Sequence, residues 1–350
     1  MIVMHIGPHK TASTYIQNNL YEARDQLEAR GWIYPEIGTR MLTGHHDLAH
    51  DAPRFVEPDG EMAAELTDLG RKARAADQNL LFSAEGFCRW TAAKMNRLAA
   101  RLEAETLDLV YVVRDPLDTF YSYWAEEMKQ GFSVSLPERL AEHLSNPIGS
   151  ERLNPMVDLG RLIGRDNIRL HAVPFEVLRN RKIDIFEHIC DKVLGLPEIK
   201  TANSSHENTS FPIELTEFLR VMTLIAGGGI RRLPEGSDLR TRFTSIILHN
   251  ERVEIAELIR AAAPLARRRI EVPAKSLYVR HLSQILLRNL DGCWTLPFEE
   301  EELFHHDKER IYFHYDAYTL MQSPEVMDAV HDVMARIQIS PYSGPPRAAK

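Results

Sequence analysis

The feature that most narrows the fold is an alternation. Over the first half of the chain, short runs of aliphatic and β-branched residues take turns with segments of helical periodicity. Ile2-Val3-Met4-His5-Ile6 leads through a glycine turn into Ile16, Leu20 and Leu27 at roughly helical spacing, which predicts strand, loop and helix. Leu80–Ser83, Leu107–Val113 and Ile168–Val173 are further strand candidates, and helical patterns around Ala63–Ala76, Lys94–Glu103, Thr119–Met128 and Met156–Ile163 lie between and beside them. Strands separated by helices imply an α/β fold, a parallel sheet flanked by helices, with ligands bound at the carboxyl ends of the strands. From Thr216 onward the pattern turns helical, with helices expected near 214–226, 251–263, 276–290 and 324–337 and few strand candidates. The expected organisation is an α/β core over residues 1–213, a helical region over 214–340 packed on it, and an extended tail over 341–350. Gly227-Gly228-Gly229 and Pro234-Glu235-Gly236 read as hinges or loops, and Arg267-Arg268-Arg269 as a solvated helix end.

Charge and cysteine usage exclude several function classes. At 350 residues and a formal charge of -8, the chain is not built for unspecific attachment to nucleic acid or anionic lipid, so an anionic ligand must be gripped locally. Cys88, Cys190 and Cys293 are far apart and lack CxxC spacing, against a disulfide scaffold or a thiolate metal site. A buried strand starting at Ile2 is not a signal peptide, and the apolar stretch Leu215–Ile230 carries Glu217 and Arg220, which makes it a core helix and not a membrane span. A cytoplasmic protein is expected.

Directly after the first strand comes Gly7-Pro8-His9-Lys10-Thr11-Ala12-Ser13-Thr14, and then a helix begins. Such a loop aims backbone N–H groups and the positive end of a helix dipole at one point, an anion site. Lys10 adds a mobile charge, and Thr11, Ser13 and Thr14 add hydroxyls. The loop is not a Walker A motif, which needs four residues between its glycines and a glycine before the lysine: here two residues separate Gly7 from Lys10, and His9 precedes the lysine. A second element lies at Arg114-Asp115-Pro116-Leu117-Asp118…Ser122, with a guanidinium at a strand end, a proline suited to the first helical turn, and a hydroxyl about two turns further on.

Together these two motifs resemble those of sulfotransferases. Gly7–Thr14 is similar to their 5′-phosphosulfate loop and Arg114…Ser122 to their 3′-phosphate motif, in the same order and each on a strand-to-helix junction. Gly31-Trp32-Ile33-Tyr34-Pro35, Phe82-Ser83-Ala84-Glu85 and Asn208-Thr209-Ser210 extend the similarity to bacterial members of that family, over roughly residues 1–215. The resemblance implies a P-loop-like sulfotransferase fold and transfer of a sulfuryl group from 3′-phosphoadenosine 5′-phosphosulfate to a hydroxyl or amine acceptor, with no metal. It further implies that Lys10 meets the bridging or 5′-phosphate oxygen, that His9, Lys10, Thr11, Ala12, Ser13 and Thr14 hold the 5′-phosphate, and that Arg114 and Ser122 fix the 3′-phosphate. Two departures stand out. Ala12 occupies a position where many relatives carry glycine, which places it, by expectation, inside the first helical turn. The C-terminal Arg/Lys-Gly-x-x-Gly loop of the animal cytosolic enzymes is missing, so another segment must close the site.

Sulfuryl transfer, by analogy with phosphoryl transfer, asks the protein mainly for alignment and charge neutralisation, plus a base for the acceptor. Glu85 is the first candidate, since a strand end fixes its position, followed by His46 and then His45 from the segment Thr43–His50. Burial is expected to raise the Glu85 pKa toward neutrality. His46 and His50, with Asp47 and Asp51 interleaved, have metal-ligand spacing but lack the HExxH glutamate, and no metal site is expected. His5 reads as a hydrogen-bonded core residue, and Phe120, Tyr121, Tyr123 and Trp124 as core in preference to adenine-stacking groups. The acceptor is open between carbohydrate, lipid and small metabolite. The alternatives are a sulfotransferase-like protein that binds nucleotide or carbohydrate without turnover, and a P-loop kinase or NTPase, which the loop spacing disfavours.

Overall fold

The computed structural model describes residues 1–39, 43–201, 211–229, 231–233, 239–262, 264–273, 276–304 and 309–343. Asn208-Thr209-Ser210, Pro234-Glu235-Gly236 and residues 344–350 of the tail lie outside the described residues. The chain divides into two units that interleave: Met1–Thr119, Ile148–Asn208 and Lys275–Lys308 form the first, and Phe120–Pro147, Thr209–Ala274 and Glu309–Lys350 the second. One cut after residue 213 therefore does not describe the chain, and the reason lies in its hydrogen bonds. Ser133 donates its N–H to Arg231 O at 3.0 Å and the Tyr121 hydroxyl donates to Phe313 O at 2.8 Å, tying 120–147 to the C-terminal part. Ala172 N–H donates to Cys293 O at 2.8 Å and Thr295 N–H to Ala172 O at 3.0 Å, tying 275–308 to the sheet.

In the first unit, β1 (Ile2–His5), β2 (Trp32–Ile33), β3 (Asn79–Ser83), β4 (Leu107–Val113) and β5 (Ile168–Pro174) form a five-stranded sheet in the order β2-β3-β1-β4-β5. All four pairings are parallel. Every residue of β4 is buried, so the strand reads as an unbroken apolar run apart from Asp108, which accepts from His171 Nε2 at 2.7 Å and Arg169 Nη1 at 3.2 Å. On one face Val3, Leu81, Val110, Val112 and Val173 pack with Ile16 and Leu20 of the Ser13–Glu22 helix and with Phe186 and Ile189. The alternate residues Met4, Phe82 and Leu109 turn to the other face, where the Ala63–Ala75 helix packs on β3. Each such side chain contributes roughly 1.5–3 kcal/mol when fully buried. The helix after the first loop thus forms because Ile16 and Leu20 recur on its sheet-facing side.

The strand order carries the functional consequence. From β1 the chain moves outward through β2 and returns to β3 on one side, then crosses to β4 and β5 on the other. The order reverses between β1 and β4, and their carboxyl ends border the crevice such sheets use for ligands. β2 has only two residues and escaped the sequence reading, since Trp32-Ile33 is too short to show a period.

The second unit is built on the Ile213–Gly227 helix, whose Phe218, Leu219 and Met222 join one core with Val326, Val330 and Met334 of the Pro324–Arg336 helix. Glu217 and Arg220, charged interruptions of an apolar helix, are buried, pair with each other, and bond the Tyr315 backbone N–H and carbonyl at 2.9 Å each. They anchor a strand the sequence reading missed. β6 (Arg267–Val272) and β7 (Arg310–Tyr315) form a two-stranded antiparallel ribbon. The arginine run is therefore a strand and not a helix end: all three arginines are exposed, which erases the apolar alternation, and Arg267 lies over the Phe313 ring at 3.9 Å. Of the other helices expected in the C-terminal half, those near 251–263 and 276–290 correspond to His249–Ala262 and Leu277–Asn289, while Leu239–Ile246 is a helix the sequence reading did not place. Among the described residues no helix is long and apolar enough to cross a membrane.

Candidate functional site

The loop after β1 is shaped by three consecutive constraints. Gly7 has φ +92°, and a Cβ there would sit 3.0 Å from the Glu85 Cα, so only glycine lets β1 leave the sheet beside the end of β3. Lys10 at φ 67° and Ala12 at φ 64° are both left-handed. Ala12 is the N-cap of the Ser13–Glu22 helix and has no side chain to cap it. It is therefore outside the first helical turn, contrary to expectation, and carries the strain of a non-glycine residue at positive φ. The hydroxyls of Thr11 (2.6 Å) and Ser13 (3.0 Å) both donate to Pro8 O, holding the loop closed on itself. Each hydroxyl has one proton, so in this conformation neither offers it outward. Thr14 is exposed, and the first helical N–H groups, at Ser13 and Thr14, precede the first intrahelical bond, which Ile16 makes to Ala12 O at 3.0 Å.

The end of β4 meets this loop. Arg114 Nη1 donates to the Lys10 carbonyl, its guanidinium lies over the Phe175 ring at 5.1 Å, and its buried Nε has no hydrogen-bond partner. Asp115, fully buried, accepts from Leu117 N at 2.9 Å and Asp118 N at 3.3 Å and so caps the Pro116–Lys129 helix. Ser122 lies on that helix, half-buried, on the stretch that belongs to the second unit. Phe120 and Trp124 are core residues of the same stretch, and Trp124 Nε1 donates to Val134 O at 2.9 Å.

Behind Arg114 stands a residue the sequence did not single out. Glu176 is fully buried just past β5; its Oε2 accepts from Asp115 N at 3.1 Å and its Oε1 has no partner. Burial and the neighbouring Asp115 charge push its pKa up to about 8, against the pull of Arg114. Nothing in Pro174-Phe175-Glu176 announced this, since a glutamate at a strand end is ordinarily solvated.

On the β3 side, Glu85 opens a short 3-10 turn, Glu85–Arg89, and is buried. It accepts from Gln17 Nε2 at 3.2 Å and faces His46 Nδ1 at 3.5 Å. Burial works to raise its pKa as expected, but His9, its own backbone N–H, His46 and Gln17 more than offset that, and the carboxyl is held below its usual range. His46 starts the helix His46–His50, and Gly44 leaves room for its ring: a Cβ there would sit 2.7 Å from His46 Nε2. The third base candidate falls away. His45 is wholly buried, takes the Ser83 N–H on Nδ1 at 3.0 Å, bonds Pro35 O through Nε2 at 2.9 Å, and is pushed down to about 4 by burial. It straps Pro35 to Ser83 at the end of β3. His5 likewise meets Ser83 Oγ at 2.7 Å within the core. His46 and His50 stack with ring centroids 6.4 Å apart, and the described residues hold no group of three or more His, Cys, Asp or Glu that could take a metal. His9 is half-buried; burial pushes it down to about 4, with Arg152, Arg89 and Lys10 adding to the effect and Glu85 opposing it.

The structure thus gathers His9, Lys10, Arg114, Glu85 and His46 around the carboxyl ends of three adjacent strands, and leaves His45 in the core. Two outcomes follow. Ala12→Gly removes left-handed strain worth about 1 kcal/mol and should be neutral or stabilising by a few tenths, whereas Gly7→Ala should cost roughly 1–3 kcal/mol, both read from urea midpoints. For Glu176, the unfolded chain releases its proton in the ordinary carboxylate range and the folded chain near 8. The folded state binds more protons in that window, so this contribution to stability is present at low pH and lost as pH rises toward 8. Glu176→Gln should flatten that decline and gain on the order of 1–3 kcal/mol over wild type at alkaline pH; a wild-type chain that grows more stable than the variant over this range would contradict the assignment. The chain matches no family model, no curated protein and no solved structure.

Proposed function

We propose that this protein is a sulfotransferase that uses 3′-phosphoadenosine 5′-phosphosulfate, acting in the cytoplasm. The observation that carries the reading is the bond from Arg114 to the Lys10 carbonyl. It joins the two junctions that resemble the phosphosulfate and 3′-phosphate motifs at the point where the strand order reverses. Lys10 and the helix N–H groups would neutralise charge on the 5′-phosphate as it leaves. Arg114 supplies the second anion contact through the guanidinium edge whose Nε has no partner. With Thr11 and Ser13 turned to Pro8, the loop's donors to phosphate are chiefly its backbone N–H groups, Lys10 and Thr14.

In the reaction the acceptor oxygen forms a bond to sulfur, the bond from sulfur to the 5′-phosphate oxygen breaks, and that oxygen keeps the electron pair. The acceptor proton goes to the Glu85–His46 pair. This reading puts His46 ahead of Glu85, the first choice from the sequence: a carboxylate held below its usual range is a weak base, and His46 Nδ1 faces that carboxylate at 3.5 Å. His46 is the acceptor of the proton in this reading, and Glu85 positions it.

Calorimetry in EDTA tests the donor site: 3′-phosphoadenosine 5′-phosphate should bind about tenfold to a hundredfold tighter than 5′-AMP, and Arg114→Lys should narrow the gap. Equal affinities would remove the basis for the reading. Labelled-sulfate transfer tests the base. His46→Ala should lose roughly 10²–10⁴-fold in turnover with nucleotide affinity kept. Glu85→Gln should lose less and shift the pH profile; a full loss in Glu85→Gln beside a near-normal His46→Ala would restore Glu85 as the base.

A further inference from the structure

The β6–β7 ribbon of the second unit has two outer edges, and they differ. Along β7 the edge is taken up by side chains of the same unit. The Phe313 carbonyl accepts from the Tyr121 hydroxyl at 2.8 Å, the Tyr315 N–H donates to Glu217 Oε1 at 2.9 Å, and the Tyr315 carbonyl accepts from Arg220 Nη2 at 2.9 Å. Backbone groups with such partners point away from β6. In an antiparallel ladder, two residues directly opposite each other turn their N–H and C=O groups both inward or both outward, and the two kinds of pair alternate. Arg269 stands opposite Phe313 and Arg267 opposite Tyr315, so the backbone groups of both arginines point away from β7, and those of Glu271, two residues on, do the same. The Asp316 N–H donates to Ala266 O at 2.8 Å, which is the inward pair that this alternation requires next to Arg267. Among the described residues no third strand bonds β6 from its outer side.

That open edge is strongly basic in a chain of net charge -8. Arg267, Arg268 and Arg269 are all exposed, with Arg267, Arg269 and Glu271 on one face of the ribbon and Arg268 on the other. Arg267 lies over the Phe313 ring at 3.9 Å, Arg268 donates to Leu265 O at 2.6 Å, and Arg269 pairs with Glu271 at 2.5 Å. These contacts steady the three side chains along the strand, and a guanidinium, with five N–H donors, can bind an anion beside one such contact. Charge on an edge turns most strands away. A basic strand is repelled here, a neutral one gains nothing from the arginines, and two copies of β6, each with three arginines and one glutamate, would set like charges along one seam. An acidic strand is drawn in. We infer that the outer edge of β6 is a docking site for an extended acidic segment of a partner protein, added to the ribbon as a third strand with carboxylates on Arg267 and Arg269.

The test uses the full chain and fluorescein-labelled peptides, read by fluorescence anisotropy. A short threonine peptide carrying two glutamates at alternate positions should bind about tenfold tighter than the same peptide with lysines in their place. Backbone methylation separates strand addition from plain charge attraction. Methyl groups on the glutamate nitrogens, which face β6 when the glutamates stand opposite Arg267 and Arg269, should abolish binding, and methyl groups on the threonine nitrogens between them should leave it within about threefold. Two variants carry the same distinction, with circular dichroism confirming that each is folded. Arg267→Gln combined with Arg269→Gln should weaken the acidic peptide about tenfold. Glu271→Pro removes an outward N–H that β7 does not use and also removes a negative charge, so strand addition predicts weaker binding and charge attraction alone predicts tighter binding. No binding of the acidic peptide, equal binding of the acidic and basic peptides, or equal binding of the two methylated forms overturns the inference. A chain that sediments as a dimer, and as a monomer in Glu271→Pro, gives the edge to a second copy and overturns it as well.

Discussion

The close approach of Gly7 to the Glu85 backbone is the constraint on which the candidate site depends. β1 has a neighbour on each side, and it can leave the sheet beside β3 only because residue 7 has no Cβ and tolerates a left-handed φ. Everything downstream inherits that exit: the loop closes on Pro8 O, its Lys10 carbonyl meets Arg114, and the helix that follows starts with its N–H groups at the carboxyl edge of the sheet. Bring β1 out at any other angle and the arginine after β4 and the glutamate after β3 no longer share a loop between them.

The site is less a bed of hydroxyls than a set of balanced charges. Thr11 and Ser13 serve the loop itself, Asp115 caps a helix, and His45 holds a strand, so several residues of attractive type have structural duties. Lys10, Arg114, His9 and the Glu85–His46 pair lie around the same strand ends, with Glu176 kept protonated behind Arg114 around neutral pH by burial and by Asp115. A neutral Glu176 leaves the arginine's charge undiminished for a ligand, which an ionised one would offset.

Much of the first unit was legible because its signals are local. β4 reads as a strand from the run Leu107–Val113, apolar but for Asp108, and Pro116 suits the first turn of the helix that follows it. The left-handed Ala12 was not legible, because nothing in an alanine reports that a loop will force it to positive φ. Glu176 and the Glu85–His46 contact were hidden for another reason: their character comes from residues distant in sequence, and burial and hydrogen bonding can push a carboxyl in either direction. The ribbon was lost to composition, since three exposed arginines in a row cancel the alternation that would identify β6.

The outer edge of β5 has one further consequence. Cys293 and Thr295 bond the Ala172 backbone there, although they are made more than a hundred residues after the strand itself. During synthesis the nascent sheet is thus complete in its strands long before it is sealed at its rim. Until that late segment leaves the ribosome, β5 presents a bare row of backbone groups to any other extended chain, and protecting that rim falls to whatever binds the growing polypeptide.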